Sequence, residues 1–206
     1  MKDAMLRSAR DLIKSGLKLV CWQVRWDNQV GLDMNFGRPH LVIREPRRSS
    51  SRWPRVRALA ARRRAHLHGT HWLQIAPEAW EIVLDDGTRA RRGAAARQSD
   101  VACARLTGER LVEVRIDVKT GVSEFRFDLG GVIRVRRPRG WGTEPDDQLW
   151  TLHGPGHQYV AVFAGGTYSY GSTRRADAVP RPMSTDAGSF LLTITSAPRR
   201  SAAGAA

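Results

Sequence analysis

The chain has 206 residues, of which 41% are hydrophobic, and 34 basic against 20 acidic residues give it a net charge of +14. This apolar content, which includes seven tryptophans, indicates a folded protein. The longest apolar stretches have only the length of a strand and are interrupted by charges, so we expect no membrane-spanning segment and no membrane partner.

Targeting signals are not evident in the first twenty residues, MKDAMLRSARDLIKSGLKLV, which lack an uninterrupted apolar region and a small-residue cleavage site. The only two cysteines, Cys21 and Cys103, fit unpaired thiols in a reducing compartment better than a disulfide framework. We therefore expect a cytoplasmic protein.

The first predicted elements are a short helix over residues 4–15, with Leu6, Leu12 and Ile13 on one side, and a β-meander over residues 19–46. The meander reads LVCWQVRWDNQVGLDMNFGRPHLVIREP. Its alternation predicts three strands with one buried face, because successive side chains of a strand point to opposite sides. The predicted buried residues are Val20, Trp22, Val24, Trp26, Val30, Leu32, Met34, Phe36, Leu41 and Ile43, whereas Cys21 falls on the polar face.

A second segment of 28 residues, at 111–138, repeats this pattern as LVEVRIDVKTGVSEFRFDLGGVIRVRRP. Both segments consist of strand, polar turn, strand, Gly-containing turn and strand, and both end in Arg-x-Pro. Two explanations stay open: a true duplication, or the general likeness of any two antiparallel meanders.

Several elements are predicted between and after the two meanders. Pro54 followed by Val56, Leu59 and Ala60 predicts a short helix of two to three turns surrounded by arginines. Residues 72–75 and 79–84 read as a hairpin, a turn at 85–87 leads into 88–92, and 99–107 read as a helix capped by Ser99. Later strands are predicted at 148–152, 158–163, 167–170 and 190–194.

The fold class that follows is mainly β, with antiparallel meanders, about ten strands and two or three short helices. Residues 1–171 are predicted to form a single β-rich domain. The composition of 172–206, rich in Ser, Thr, Ala, Pro and Arg, predicts a largely disordered tail.

Three motifs, FDLGGVIRV, DDQLWTLHGPG and VAVFAGGTYSYG, resemble a family of small uncharacterised bacterial β-rich proteins, a domain of unknown function. The resemblance covers roughly 19–46 and 111–171. It implies a bacterial β-rich architecture in which 47–110 is an insertion carrying the basic helix, and it implies no activity and no functional residues.

Catalytic and cofactor motifs are not found: the glycines form no nucleotide-binding signature, and neither cysteine has a local activating motif. His66, His68 and His71 have the minimum number of imidazoles for a zinc site. However, no carboxylate or thiolate lies at ligand spacing and the arginines at 62–64 would repel a cation. We expect no enzyme activity, no metal site and no cofactor.

A cluster of arginines is the feature that indicates a binding function most clearly. The segment from Arg44 to Arg64 contains nine arginines and one glutamate. With an interleaved tryptophan, such a cluster can contact phosphates and stack on a base, or can dock on an acidic protein. The candidate contacts are Arg47, Arg48, Arg52, Trp53, Arg55, Arg57, Arg62, Arg63 and Arg64. A second basic group comprises Arg134, Arg136, Arg137 and Arg139.

Three hypotheses follow. The favoured one is a non-enzymatic protein-interaction module, immunity- or regulator-like, that binds an acidic protein partner. The alternative is a nucleic-acid-binding accessory protein that uses segment 44–64. The third is an enzyme with a dispersed site or a histidine-based metal site. A separate explanation of the arginines, 30 against four lysines, is codon bias without a dedicated partner.

Overall fold

Residues 2–117, 119–137, 147–172 and 191–195 are described by a computed structural model of the chain. Within these ranges lie fourteen strands, all paired antiparallel, and three α-helices, so the predicted mainly β fold is confirmed. The helices are α1 (Lys2–Gly16), α2 (Pro54–Ala60) and α3 (Ala96–Leu106), with a 3-10 turn at Pro155–His157. The strands are β1 (Cys21–Asp27), β2 (Gly31–Phe36), β3 (His40–Arg44), β4 (Arg64–His68), β5 (His71–Ile75), β6 (Trp80–Val83), β7 (Arg89–Arg91), β8 (Leu111–Asp117), β9 (Ser123–Phe127), β10 (Val132–Val135), β11 (Gln148–His153), β12 (Gln158–Phe163), β13 (Tyr168–Ser172) and β14 (Leu191–Thr195).

Two six-stranded sheets share one core. Sheet A has the strand order β1-β2-β5-β11-β12-β13, sheet B has the order β14-β8-β9-β10-β6-β7, and β3-β4 forms a separate ribbon. Aromatic rings from the two sheets meet between them. Phe125 contacts Trp150 edge to face with ring centroids 5.3 Å apart, and Phe36 stacks on Phe127 at 6.5 Å. The inward-facing side chains of both sheets are therefore buried against each other.

The two halves of the chain have the same construction. A helix (α1 or α3) precedes a three-stranded meander (β1-β2-β5 or β8-β9-β10). The next strands along the chain, β6-β7 and β11-β12-β13, join the other sheet, and β14 returns to sheet B. The pairing also agrees: Trp80 of β6 lies opposite Val135 of β10, and Trp150 of β11 lies opposite Ile75 of β5. Positions in sheet A can therefore be matched with positions in sheet B by their pairing partners. A general likeness of two meanders would not require this agreement.

This register corrects the repeat alignment. The alignment of 19–46 with 111–138 sets Leu19 against Leu111, whereas the pairings Cys21–Phe36 and Leu111–Phe127 match Cys21 with Leu111. It also takes residues 40–44 as the third strand of the first meander, and this was wrong. That place belongs to β5, which pairs with β2, while β3 leaves the sheet and pairs only with β4.

A β-bulge corrects the prediction for the faces of β1. The register of β1 against β2 shifts between Trp22 and Arg25, and Gln23 has a φ of 55° there. A bulge inserts an extra residue and so changes which side chains face inward. As a result Cys21 is fully buried in the core, whereas Trp22 is only half-buried and its indole nitrogen donates to the Gly37 carbonyl at 2.8 Å.

Two further local predictions were wrong. The predicted hairpin of 72–75 and 79–84 does not form, because β5 lies in sheet A and β6 lies in sheet B, so that the chain crosses between the sheets there. Ser99 does not cap α3: the helix begins at Ala96 after an N-cap at Ala95, and Ser99 is buried within it.

Several other local predictions are confirmed within the described residues. Helix α1 covers the predicted 4–15 and buries Leu12 and Ile13, the three strands at 148–172 are present, and β14 corresponds to the strand predicted at 190–194. The rest of the predicted disordered tail, 173–190 and 196–206, lies outside the described residues.

Candidate functional site

The predicted site residues all lie on one excursion from sheet A, residues 38–68, which we call the arm. The arm leaves β2 at Gly37 and returns to β5 at Gly69. Gly37 has a φ of +76°, and a Cβ on Gly69 would lie 2.4 Å from the Phe36 carbonyl oxygen. The Asn35 carboxamide oxygen accepts a 2.8 Å hydrogen bond from the Gly69 amide. Both ends of the arm are thus fixed on the last residues of β2.

The ribbon of the arm has one apolar and one basic face. Leu41 lies opposite Leu67, and Ile43 lies opposite Ala65. The three large side chains of this face, Leu41, Ile43 and Leu67, are exposed by 60%, 55% and 49%. The predicted alternation of β3 is therefore present, but its predicted burial was wrong, because no described element covers the apolar side.

The other face of the ribbon places two arginines, which are like charges, and two histidines opposite each other. His40 pairs with His68, and Arg44 pairs with Arg64. Like charges directly opposite each other on paired strands are destabilising. An isolated two-stranded ribbon is itself only marginally stable. The local sequence of the arm is thus unfavourable for the stability of the ribbon.

Helix α2 of the arm is also exposed. None of its residues is buried, and Trp53, Val56 and Leu59 are exposed by 59%, 45% and 44%. Seven of the eleven large apolar side chains that are exposed in the described part of the chain lie on the arm. The exposed apolar side chains of the described residues are thus concentrated on the arm.

All nine predicted contact residues are exposed on the arm. Arg63 pairs with Glu45 at 2.9 Å, Arg57 donates to the carbonyls of Ser51 and Arg52, and the Arg52 guanidinium lies 4.9 Å from the centre of the Trp53 ring. The others make no ion pair with any carboxylate of the described residues; they are Arg47, Arg48, Arg55, Arg62 and Arg64. Their charge is therefore available to a partner.

The three histidines weighed as metal ligands do not converge. His66 and His68 lie on the ribbon with ring centres 6.1 Å apart, and His68 packs edge-on against Trp72 at 5.2 Å. His71 faces the opposite side of sheet A, where its Nε2 lies 2.8 Å from the Ser15 hydroxyl. Burial lowers the pKa of His71, and burial with His66, His40 and Arg44 lowers the pKa of His68.

Sheet A also carries a polar and aromatic cluster on its outer face, the face turned away from sheet B. The Trp72 indole stacks on His153 with ring centres 5.0 Å apart, and its nitrogen donates to the Asp33 carboxylate. Burial raises the pKa of Asp33 to about 6 against the opposing effect of Arg25. Sequence reasoning missed this cluster, because its members lie on three strands that are far apart in the chain.

The outer face of sheet B holds a row of alternating charges instead. Arg115, Glu124, Arg134, Glu81 and Arg91 lie opposite one another on five neighbouring strands. Here the second predicted basic group is partly neutralised, since Arg134 lies 3.3 Å from Glu124 and Arg136 lies 4.0 Å from Glu81. Arg139 lies outside the described residues.

Comparison with known proteins gives no match: no family model, curated protein or solved structure is significantly similar to the chain. The family resemblance drawn from the three sequence motifs therefore stays a prediction. None of the helices in the described residues is long and apolar enough to span a bilayer.

Proposed function

We propose that the protein is a non-enzymatic interaction module whose arm docks on another protein. The observation that carries this proposal is the exposed apolar face of the ribbon, formed by Leu41, Ile43 and Leu67. Burying such side chains is worth about 25 cal/mol per Å² of apolar surface, which a partner with its own apolar surface supplies.

The positive charge of the arm favours a partner with an acidic surface. Residues 38–68 contain ten arginines and one glutamate. Arginine pairs bidentately with carboxylates, and complementary charge increases the rate and specificity of association. The partner we propose is an acidic protein with an apolar patch, held by the aliphatic face of the ribbon and surrounded by arginine contacts.

Nucleic acid is the second candidate, favoured by the exposed Trp53 ring among the arginines. It ranks lower because phosphates and bases give no reason for a separate aliphatic face on the ribbon. A duplex-DNA salt series distinguishes the two: about six phosphate contacts would give a slope of log K against log salt near −5.

The test uses two arm variants and full-length protein as bait in a lysate of the source cells. Leu41→Ser/Ile43→Ser/Leu67→Ser removes the apolar face, and Arg62→Gln/Arg63→Gln/Arg64→Gln removes three charges. We expect one dominant acidic protein that the first variant loses and the second binds more weakly. Because these side chains are exposed, the melting temperature should change little. Equal recovery by wild type and the apolar-face variant would refute the proposal, and DNA binding that survives physiological salt would favour the second candidate.

A further inference from the structure

A cleft lined by arginines lies at the edge of sheet B, away from the residues of the arm. Two adjoining cavities of about 670 and 470 Å³ share Glu78, Glu81, Arg91 and Arg92 as walls. Arg89 lines the larger cavity, and the smaller one is lined also by Arg136 and Arg137. We call the two together the arginine cleft. Their volumes fall in the range of small-molecule sites.

Positive charge exceeds negative charge in the arginine cleft, with five arginines against two glutamates. Glu78 pairs with Arg92, while Glu81 lies 3.9 Å from Arg89 and 4.0 Å from Arg136, too far for hydrogen bonds. Elsewhere on the same sheet face the pairing is closer, as between Arg126 and Glu124 at 2.5 Å. The cleft therefore keeps guanidinium donors that its own carboxylates do not satisfy.

Among the described residues, two of its arginines have no carboxylate partner. Arg91 makes no ion pair there. Arg137 has a buried guanidinium nitrogen that no described residue satisfies with a hydrogen bond. An unsatisfied buried donor is costly, and more so when it is charged, so a bound anion would offset a cost already present in the fold.

The N-terminal end of α3 adds to the positive potential. Gly93, Ala94 and Gln98 line the larger cavity next to the start of the helix. Ala95 provides no side-chain cap, and the first turn contains no acidic residue. The free amide groups and the helix dipole of such a terminus favour anions.

We infer that the arginine cleft binds a small molecule carrying two phosphate groups, one for each cavity. The planar guanidinium fork matches phosphate oxygens bidentately. The cleft has three more arginines than glutamates, which provides positive charge for two anionic groups. The two adjoining cavities accept a ligand larger than one phosphate. This site shares no residue with the arm and does not depend on the proposed protein partner.

The test is calorimetric titration of the full chain with inorganic pyrophosphate at pH 7.5 and constant ionic strength. We expect saturable one-to-one binding that Arg91→Gln/Arg137→Gln weakens about tenfold or more, since each charged hydrogen bond contributes that order of affinity. Ala94→Glu places a carboxylate in the cavity and should also weaken binding, while an acid beside the helix start does not disfavour the fold.

The arm variant Arg62→Gln/Arg63→Gln/Arg64→Gln is the matched control and should bind pyrophosphate like wild type. Pyrophosphate binding that is absent, or that neither cleft variant changes, would overturn the inference. A loss of binding in the arm variant alone would assign the anion to the arm. Inorganic phosphate that binds as tightly as pyrophosphate would contradict the two-phosphate ligand.

Discussion

The outer faces of the two sheets differ although the two sheets are built in the same way. At positions matched by register, sheet B has the charged row Glu124, Arg134 and Glu81. Sheet A has Asp33, Gln74 and Thr151 in their place. One face thus carries a row of paired charges, and the other has one carboxylate and two uncharged polar side chains beside stacked rings.

The inner faces do not differ in this way, because both must fill the same core. Trp80 and Trp150 occupy matched positions and are 4% and 0% exposed. Close packing restricts core side chains to a narrow range of volumes, whereas outer-face residues are free to change once they no longer hold the sheets together. The difference teaches that the specialised surfaces of this protein are the arm and the two outer faces.

The prediction with the largest expected effect tests whether the inner faces of the two sheets are equivalent. Trp80→Ala and Trp150→Ala should each lower the free energy of unfolding by about 3–5 kcal/mol, because both create a large cavity. Trp53→Ala on the arm is the control and should change it by less than about 0.5 kcal/mol. Urea titration measures all three. A loss at Trp53 as large as at Trp150 would show that the arm belongs to the core.

The prediction with the next largest effect compares Asp33 and Glu124, the acidic residues at matched positions on the outer faces of the two sheets. The pKa of Asp33 is raised to about 6 in the folded state, so the folded protein holds a proton that the unfolded chain releases near pH 4. Stability at this site therefore falls as the pH rises from about 4 to 6, and the cost persists above pH 6.

Asp33→Asn should remove this cost while keeping an oxygen for the Trp72 indole. We expect the free energy of unfolding to increase by about 1–2 kcal/mol at pH 7.5, allowing for the partial solvent access of this side chain. Near pH 4 we expect no increase. Glu124→Gln should instead lose up to about 1 kcal/mol, because Glu124 pairs with Arg126 and Arg134. Denaturation at both pH values tests this, and an equal gain at pH 4 would contradict burial of the Asp33 carboxylate as the cause.

The smallest effect concerns buried hydroxyls. The Thr151 hydroxyl is buried and has no hydrogen-bond partner among the described residues, whereas the Ser123 hydroxyl accepts from the Trp150 indole at 2.8 Å and donates to the Gly121 carbonyl. Thr151→Val should therefore stabilise the fold by about 1 kcal/mol, and Ser123→Ala should destabilise it by about the same amount. Thermal melts of both variants check this, and two equal losses would mean that Thr151 has a partner after all.

Local pattern was enough to predict most strands, their turns and the helices, because side-chain alternation and turn residues act over a few positions. It was also enough to identify the basic segment on which the candidate site is built. It could not show that Leu41 and Ile43 stay exposed, since their alternation is the same as that of a core strand. Nor could it bring together Asp33, Trp72 and His153, which meet only through strand pairing.

The sequence by itself thus determined the fold class, the element types and the position of the arginines, because these depend on neighbours along the chain. Only the tertiary structure decided which strands pair, which faces are covered, and that β3 leaves the sheet while β5 replaces it. Those choices depend on contacts between residues that are far apart in the sequence, and a single bulge beside Gln23 was enough to move Cys21 from the predicted surface into the core.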